Sequence, residues 1–442
     1  ILPYIKFETD EFNSVLEFFK EQTITEATKD ALKHCLIFDG MDYFYGLGGL
    51  HAARGNSIFQ SDEDNIILSV DFASFYPNIS IKNKFYPEHL SESFCILYEE
   101  LFEKRKLIPK SNPQNTAIKL LLNSTFGKAG DEYSFLYDKF FQMAITVNGQ
   151  LILSMLCEQL SKIEGVRMVM ANTDGCELTV PKNKKREVYN VCLAIENLTQ
   201  LQLEYDVYDK LFVRDINNYL SVNTKGKVKT KGAFDIDLEL HKNRSERIVP
   251  LAIKRYFVNN VPVEETVRNH LSVGNYGEIE NQGIYDFCIG KKIQSNQNYT
   301  IEDNEENIIK NITDKVIRFY VSADGNYLKK NYSDGRKEIT VGGNKMTMFM
   351  DYYDSQNYNV DYDYYINQAY KIIHNVDGTA ERVEVERRAE IARLKQEKEE
   401  ENYKKYCLDK VPTNRQREMY SKSWLVEKYG YPKSKEELKD NK

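Results

Sequence analysis

Two acidic residues 103 positions apart carry the first sign of chemistry in this sequence. Asp71 ends the apolar run IILSV, and Asp174 stands in RMVMANTDGCELTV between two alternating apolar arms. Alternation on both sides of Asn-Thr-Asp-Gly predicts a β-hairpin with Asp174 at its tip. If that hairpin packs beside the IILSV strand, both carboxylates project from one edge of one sheet. Two close carboxylates repel unless a cation lies between them. Ligation by oxygen alone, with no His or Cys nearby, favours Mg²⁺ or Mn²⁺ over zinc. Mg²⁺ held by two carboxylates completes its shell with water and substrate phosphates, which points to phosphoryl transfer. The alternative is two structural acids, one ending a strand and one forming a turn.

A second group of residues bears on that choice. In QNTAIKLLLNSTFG (114–127), Lys119 and Asn123 are four apart and share one helical face. Gly127 lies two turns beyond Lys119, where a missing side chain lets a flat group approach, and Phe126 beside it offers a platform. Arg105 comes from the preceding helical stretch. A Lys, an Arg and an Asn converging from a helical hairpin can hold a triphosphate. Taken alone, Lys119 reads equally as a surface lysine. NTKGKVKTKGAF adds lysines 225, 227, 229 and 231 on every second residue, one face of a strand. This is either a basic stripe for a polyanion or an edge strand blunted by lysines.

The elements that must position these residues can be read along the chain. NIILSVDFASFYPNI (65–79) is a buried strand ending at Asp71, with a turn that closes on Pro77. Glu92 to about Arg105 is helical, KSNP (110–113) breaks it, and 114–127 is a second helix with a glycine stop. ITVNGQLILSMLCEQLSKIEG (145–165) is a long apolar helix capped by Gly165. A strand, a helix pair, a core helix and a hairpin make an α+β layer. After Phe234, two partly amphipathic helical stretches flank short strands joined by tight turns. From Thr379 the composition shifts to charges of both signs on nearly every face, the pattern of a solvated helix.

At 442 residues, two to four packed units are expected. Hydrophobic residues make up 41%, enough for real cores, and 31 tyrosines against one tryptophan favour side chains that both pack and stack. The seven cysteines form no CxxC pair and are odd in number, which argues for free thiols in a reducing compartment. No run approaches the length of a continuous apolar membrane span, and the first residues are no signal peptide. A chain beginning with Ile reads as the remainder of something longer. The net charge of −7 does not favour nucleic acid, although a groove needs only a local basic stripe.

DFASFYP (71–77), KLLLNSTFG (119–127) and ANTDG (171–175) resemble, in order and role, the three polymerase motifs of the family B DNA polymerases, DxxSLYP, KxxxNSxYG and DTDS. YGLGGLH (45–51) resembles the glycine-containing link before the family's palm, and RDINNY (214–219) with KVKTKG (227–232) its primer-gripping region. The likeness spans roughly residues 40 to 375 and looks closest to phage-encoded members. It implies a right-hand polymerase with an antiparallel-sheet palm, short helical-hairpin fingers and a mixed helical and strand thumb. The divisions would be an N-terminal segment (1–60), palm (61–91), fingers (92–127), palm again (128–235), thumb (236–378) and a charged helical extension (379–442).

The same resemblance implies site residues. Asp71 and Asp174, with the Phe72 carbonyl, would bind two Mg²⁺ ions, or Mn²⁺. Ala73, Ser74 and Phe75 would offer backbone N–H groups to the phosphates, and Tyr76 would lie under the sugar as a gate selecting dNTPs. Lys119 and Arg105 would neutralise the triphosphate, assisted by Asn123, with Phe126 and Gly127 receiving the base. Asn172, Thr173, Tyr219, Lys229 and Lys231 would face the primer–template, the lysines gripping its backbone. The activity implied is template-directed DNA synthesis in phage genome replication, in the host cytoplasm, with dNTPs and primer–template DNA as partners and other replisome proteins possible. No membrane partner is implied.

The departures also carry expectations. Asn172 replaces the first Asp of DTDS, and activity should survive because Asp71 and Asp174 remain. Phe126 replaces the usual Tyr, which should alter fidelity. RDINNY lacks the lysine before the tyrosine, which weakens the primer grip there. The 48 positions from Asp71 to Lys119 and 55 from Lys119 to Asp174 leave no room for the insertions that serve a terminal protein. The residues ahead of Asp71 are too few for an exonuclease domain. Two rivals remain: a non-catalytic subunit derived from a polymerase, and an RNA-synthesising enzyme, which Tyr76 opposes. SKSWLVEKYGYP (421–432) would dock a partner or anchor locally.

Overall fold

A computed structural model describes residues 1–23, 32–236, 245–293, 297–349 and 358–379. The chain divides into a compact unit, Ile1–Asp377, and a second, Gly378–Lys442. The charged extension, Cys407 and the 421–432 stretch lie outside the described residues.

The first half begins with α1 (Asp10–Glu21) and the strands β1 (His34–Phe38), β2 (Met41–Gly46), β3 (Gly49–Ala53), β4 (Ser57–Gln60) and β5 (Asn65–Phe72). Helices α2 (Phe75–Asn83), α3 (Ser93–Lys106), α4 (Pro113–Lys128) and α5 (Lys139–Ser161) follow, then the hairpin β6 (Arg167–Asn172) and β7 (Gly175–Pro181). Helix α6 (Lys185–Thr199) leads to β8 (Leu203–Asp215), β9 (Asn218–Asn223) and β10 (Val228–Lys231). Among the described residues these ten strands form one antiparallel sheet in the order β1-β2-β3-β6-β7-β5-β8-β9-β10, with β4 pairing β8.

This order places the hairpin where the chemistry needs it. β7 lies beside β5, with Asp71 opposite Gly175, and the Phe72 N–H donates to the Asp174 carbonyl at 2.7 Å. Under the sheet runs α5, whose side chains are buried from Ile145 to Glu158. It is long and apolar enough to cross a membrane, but here it is the core helix of the sheet layer. Its contacts gather α1, the inner face of the sheet and α6 into one cluster that includes Phe12, Tyr43, Leu68, Leu156 and Leu178. A smaller cluster around Ile67, Met170 and Leu211 covers part of the opposite face.

Four elements differ from the sequence reading. The chain after Asp71 does not merely turn at Pro77. It enters α2 at Phe75, and Pro77 sits in the first helical turn, where its missing N–H leaves no bond unmade. Helix α4 runs through Gly127 to Lys128, so the glycine is no stop. Helix α5 starts at Lys139 because the Asp138 carboxylate accepts from Phe141 N–H at 2.9 Å, and it ends at Ser161. Gly165, at φ +81°, instead makes the turn into β6. Finally, Lys225 and Lys227 lie in a turn whose N–H groups bond the Asn223 side chain, so only Lys229 and Lys231 alternate on β10.

The rest of the first unit holds α7 (Ile248–Asn259), α8 (Val263–Asn269) and α9 (Tyr362–Val376) around a second sheet. Its strands are β11 (Ile289–Lys292), β12 (Asn298–Glu302), β13 (Ile308–Ile312), β14 (Val316–Asn331), β15 (Lys337–Ile339) and β16 (Met346–Met348), ordered β11-β14-β12-β13 with β15 and β16 also on β14. In place of short strands, β14 runs 16 residues past a register shift between Val321 and Asn326. The six described cysteines are free thiols.

Candidate active site

The carboxyl-terminal end of β5, the tip of the β6–β7 hairpin, the first turn of α2 and the facing sides of α3 and α4 enclose a cavity of about 750 Å³. Asp71, Phe72, Ala73, Ser74, Phe75, Tyr76, Arg105, Lys119, Asn123, Thr173 and Asp174 line it together. Phe126, Gly127, Asn172, Tyr219, Lys229 and Lys231 stand outside that lining, each beside it in sequence or in charge.

The hairpin tip is built for close approach. Thr173 adopts φ +59°, and Asp174 N–H reaches back to the Asn172 carbonyl at 2.6 Å. Gly175 has no alternative, since a Cβ there would lie 2.0 Å from Asp71 Oδ1. The Asp71 carboxylate therefore rests directly on the hairpin backbone. Ser69 Oγ donates to its other oxygen at 3.0 Å.

Charge at this edge is poorly compensated in the protein alone. Burial and the neighbouring Asp174 push Asp71 up to about 6, against the pull of Lys229 and Ser69. Asp174, at the rim, is also raised, by desolvation, despite Lys229, Lys231 and Lys119. A third acid, Glu177 on β7, is buried behind them, and burial together with Asp71 pushes it up to about 8. Among the described residues no three His, Cys, Asp or Glu side chains are grouped closely enough to hold a metal by themselves. The donor set fits a hard cation that takes part of its shell from backbone, water and substrate. Two neighbouring carboxylates and no nitrogen or sulfur ligand suit Mg²⁺ or Mn²⁺.

The opposite wall is cationic. Arg105 donates to Asn115 Oδ1 at 3.2 Å and to Ser74 Oγ at 3.0 Å, which ties α3 to the start of α2. Lys119 and Asn123 are exposed on α4 towards the cavity. The Ala73 N–H donates to the Gln202 carbonyl at 2.9 Å, so it is engaged within the fold. Those of Ser74, Phe75 and Tyr76 precede the first helical bond of α2, Asn78 N–H to the Ser74 carbonyl.

Tyr76 packs its ring 4.7 Å from Phe126, and its hydroxyl donates to the Gly48 carbonyl at 3.0 Å. Asn172 Oδ1 meets His51 Nδ1 at 3.1 Å and accepts from Thr173 Oγ1 at 3.1 Å, while its amide points to the Ile216 carbonyl. Lys231 lies over the Tyr219 ring at 5.7 Å. Partial desolvation would lower Lys229, but Tyr219, Tyr208, Asp71 and Glu177 raise it overall.

Sequence reasoning missed Glu177, Ser69, Asn115, Gln202 and Glu204. Glu177 shares the strand phase of Gly175 and Thr179, opposite to the apolar Cys176, Leu178 and Val180, so its type and position look like those of an ordinary outward-facing acid. Gln202 just precedes β8 and Glu204 lies in it, opposite Asp71, and no local pattern brings that strand to β5.

No protein-family model matches the chain. It is 24% identical over 250 residues to a DNA polymerase of Thermococcus sp. (strain 9oN-7), covering 46% of this chain and 32% of that protein. It is 25% identical over 208 residues to DNA polymerase 1 of Pyrococcus abyssi, covering 38% and 27%. Among solved structures, a family B DNA polymerase from the hyperthermophilic archaeon Pyrobaculum calidifontis aligns with a TM-score of 0.40 at 16% identity, over 73% of this chain and 46% of that one. The chain thus matches about a third or less of the length of these curated relatives. Over part of its length, then, the chain is similar to proteins named DNA polymerase.

Proposed function

We propose that this chain is the polymerase core of a DNA-directed DNA polymerase, adding dNTPs to a primer 3′ end. The observation that carries the reading is the pairing of β5 with the hairpin, which sets Asp71 and Asp174 at one sheet edge facing Lys119 and Arg105 across a cavity of about 750 Å³. In this reading the large sheet is the palm, α3 and α4 are the fingers, and the part from residue 236 is the thumb.

Asp71, Asp174 and the Phe72 carbonyl would hold two Mg²⁺ ions. Bound there, the ions supply charge stabilisation for in-line displacement at the α-phosphorus. The chain does the remaining work. Arg105 and Lys119 offset the triphosphate charge, and the N–H groups at the start of α2 face the phosphate oxygens. The primer 3′-hydroxyl oxygen would bond to the α-phosphorus as the bond to the bridging oxygen of pyrophosphate breaks, the hydroxyl proton passing to water, and Lys119 Nζ would protonate the departing pyrophosphate and regain its proton from water. Tyr76 bounds the sugar and disfavours a 2′-hydroxyl. Lys231, on its Tyr219 platform, and Lys229 meet the primer–template backbone. The assignment to phage replication in a host cytoplasm rests on the motif variants alone.

Primer extension tests the reading, using a recessed 3′ end, Mg²⁺ and the four dNTPs. Template-directed extension by the wild type, reduced at least about a thousand-fold in Asp174→Ala, is expected for a ligand to the catalytic ions. A folded wild type that binds DNA and extends nothing would favour a non-catalytic subunit.

A further inference from the structure

The glycine-rich turn singled out in the sequence has no part in the chemistry described so far, yet it touches the site at three points. Gly46 pairs with Gly49, leaving Leu47 and Gly48 as the two-residue tip between β2 and β3. The Gly48 carbonyl accepts from the Tyr76 hydroxyl at 3.0 Å. Gly49, at φ +141°, leaves room for that hydroxyl, since a Cβ would lie 3.1 Å from it and 3.2 Å from Thr173 Cγ2. One residue further on, the Leu50 carbonyl accepts from the Thr173 N–H at 2.8 Å.

The Tyr76 ring is held from its other sides as well. Gly149 of α5 leaves a gap that a Cβ would narrow to 3.1 Å from the ring, and Phe126 packs against it at 4.7 Å. A phenol ring with free χ2 rotation is a soft wall. One fixed by a hydrogen bond at its far end and by packing on both faces is a hard one, as sugar discrimination by exclusion requires. The hydroxyl has an acceptor of fixed position because the turn is anchored in the sheet on both strands.

We infer that the Leu47–Gly48 turn sets the sugar selectivity of the site, with Gly48 and Gly49 acting as positioning residues that fix Tyr76 through its hydroxyl. The inference rests on the polymerase reading and on Tyr76 as the wall beside the sugar. The turn reaches the site through Tyr76 and Thr173. It acts only by limiting where the Tyr76 ring can stand, and through Thr173 it ties the same wall to the Asp174 tip.

The test measures the ratio of kcat/KM for a dNTP to that for the matching rNTP in single-nucleotide extension by the full chain. Tyr76→Ala, which removes the ring, should collapse the ratio. Tyr76→Phe keeps the ring and removes the bond to Gly48, and should lower the ratio about two- to ten-fold, the span that one hydrogen bond of ordinary worth covers. Gly49→Ala should lower it to a similar degree. The double variant Gly49→Ala/Tyr76→Phe should fall no further than the lower single variant, because both remove one constraint. A purely structural role for the turn would lower both rates alike and leave the ratio in place. If Tyr76→Ala collapses the ratio while Tyr76→Phe leaves it unmoved, the turn is not the support, and the inference fails while the polymerase reading stands. If Tyr76→Ala itself leaves the ratio unchanged, the ring is not the wall. If the wild type extends no primer, both readings fall together.

Discussion

Three acids at one sheet edge make the ion-free protein sensitive to pH in a definite direction. Asp71 is pushed up to about 6 and Glu177 to about 8, while an unfolded chain would titrate both near 4. Between those limits the folded state binds more protons than the unfolded one. The contribution of these two groups to stability is therefore fullest below pH of about 4 and declines as pH rises through the folded values. Glu177→Gln removes the larger of the two contributions. In chelator, the melting midpoint of the wild type should drop towards pH 8 relative to Glu177→Gln, with the gap closing near pH 4 and narrowing when Mg²⁺ is added at pH 8. Parallel midpoints for the two proteins across this range would show that Glu177 carries no such burden. At this same scale the sequence was most readable. Asp71, Asp174, Lys119 and Asn123 were each marked by type and spacing, and all line one cavity. Glu177 was passed over because a lone acid in an apolar arm looks like an ordinary strand residue until its neighbours across β5 are known.

Elements were legible where period or a breaker dominates, and less so where a distant side chain sets the limit. The β6–β7 hairpin and the α3–α4 pair lie close to their expected spans. The start of α5 was misread because its cap lies ahead of the apolar run. Asp138 accepts from Phe141 N–H with one oxygen and from Glu88 N–H at 2.8 Å with the other, so one carboxylate both begins the core helix and holds the chain that follows α2. Asp138→Ala removes both bonds. The cost expected is about 1–2 kcal/mol, the usual range for losing an N-cap, read as a lower urea midpoint with an unchanged slope. A loss of only a few tenths would mean that solvent replaces the cap. The strands β1 to β4 and β11 to β13 were not resolved by pattern, because they are short and their partners lie far along the chain, β4 on β8 and β11 and β12 on β14.

In the C-terminal part of the first unit, the buried Asp286 ties three segments together. Asp286 accepts from Arg247 Nη1 at 2.8 Å and from the Gln282 N–H at 2.9 Å, and shares a 2.8 Å hydrogen bond with His270 Nε2. Burial alone would raise it, but His270, Arg247 and the Gln282 N–H together hold it below the ordinary carboxylate value. Its contribution is present above pH of about 4 and is lost as pH falls through the depressed folded value, opposite in sign to that of Glu177. Asp286→Ala leaves the buried Arg247 without its carboxylate and should cost about 3–5 kcal/mol in urea denaturation. An effect below about 1 kcal/mol would show that the remaining carbonyl partners of Arg247 suffice.

Taken as a whole, a chain of net charge −7 could bind DNA, as proposed, only through a local surface. The β10 lysines are the ones adjoining the site, and their environments differ. Lys229 is coupled to Asp71 and Glu177, so its charge is partly balanced within the protein, whereas Lys231, which acts more weakly than Lys229 on Asp174 and Glu177, stands over the Tyr219 ring. Counterion release counts only lysines that neutralise phosphate. Lys231→Gln should therefore lower the slope of log Kd against log salt for a primer–template by about one, and Lys229→Gln by less. Fluorescence anisotropy from roughly 50 to 300 mM KCl measures both slopes. Equal reductions would mean that DNA draws Lys229 away from the acids, and no reduction in either would place the duplex elsewhere on the molecule.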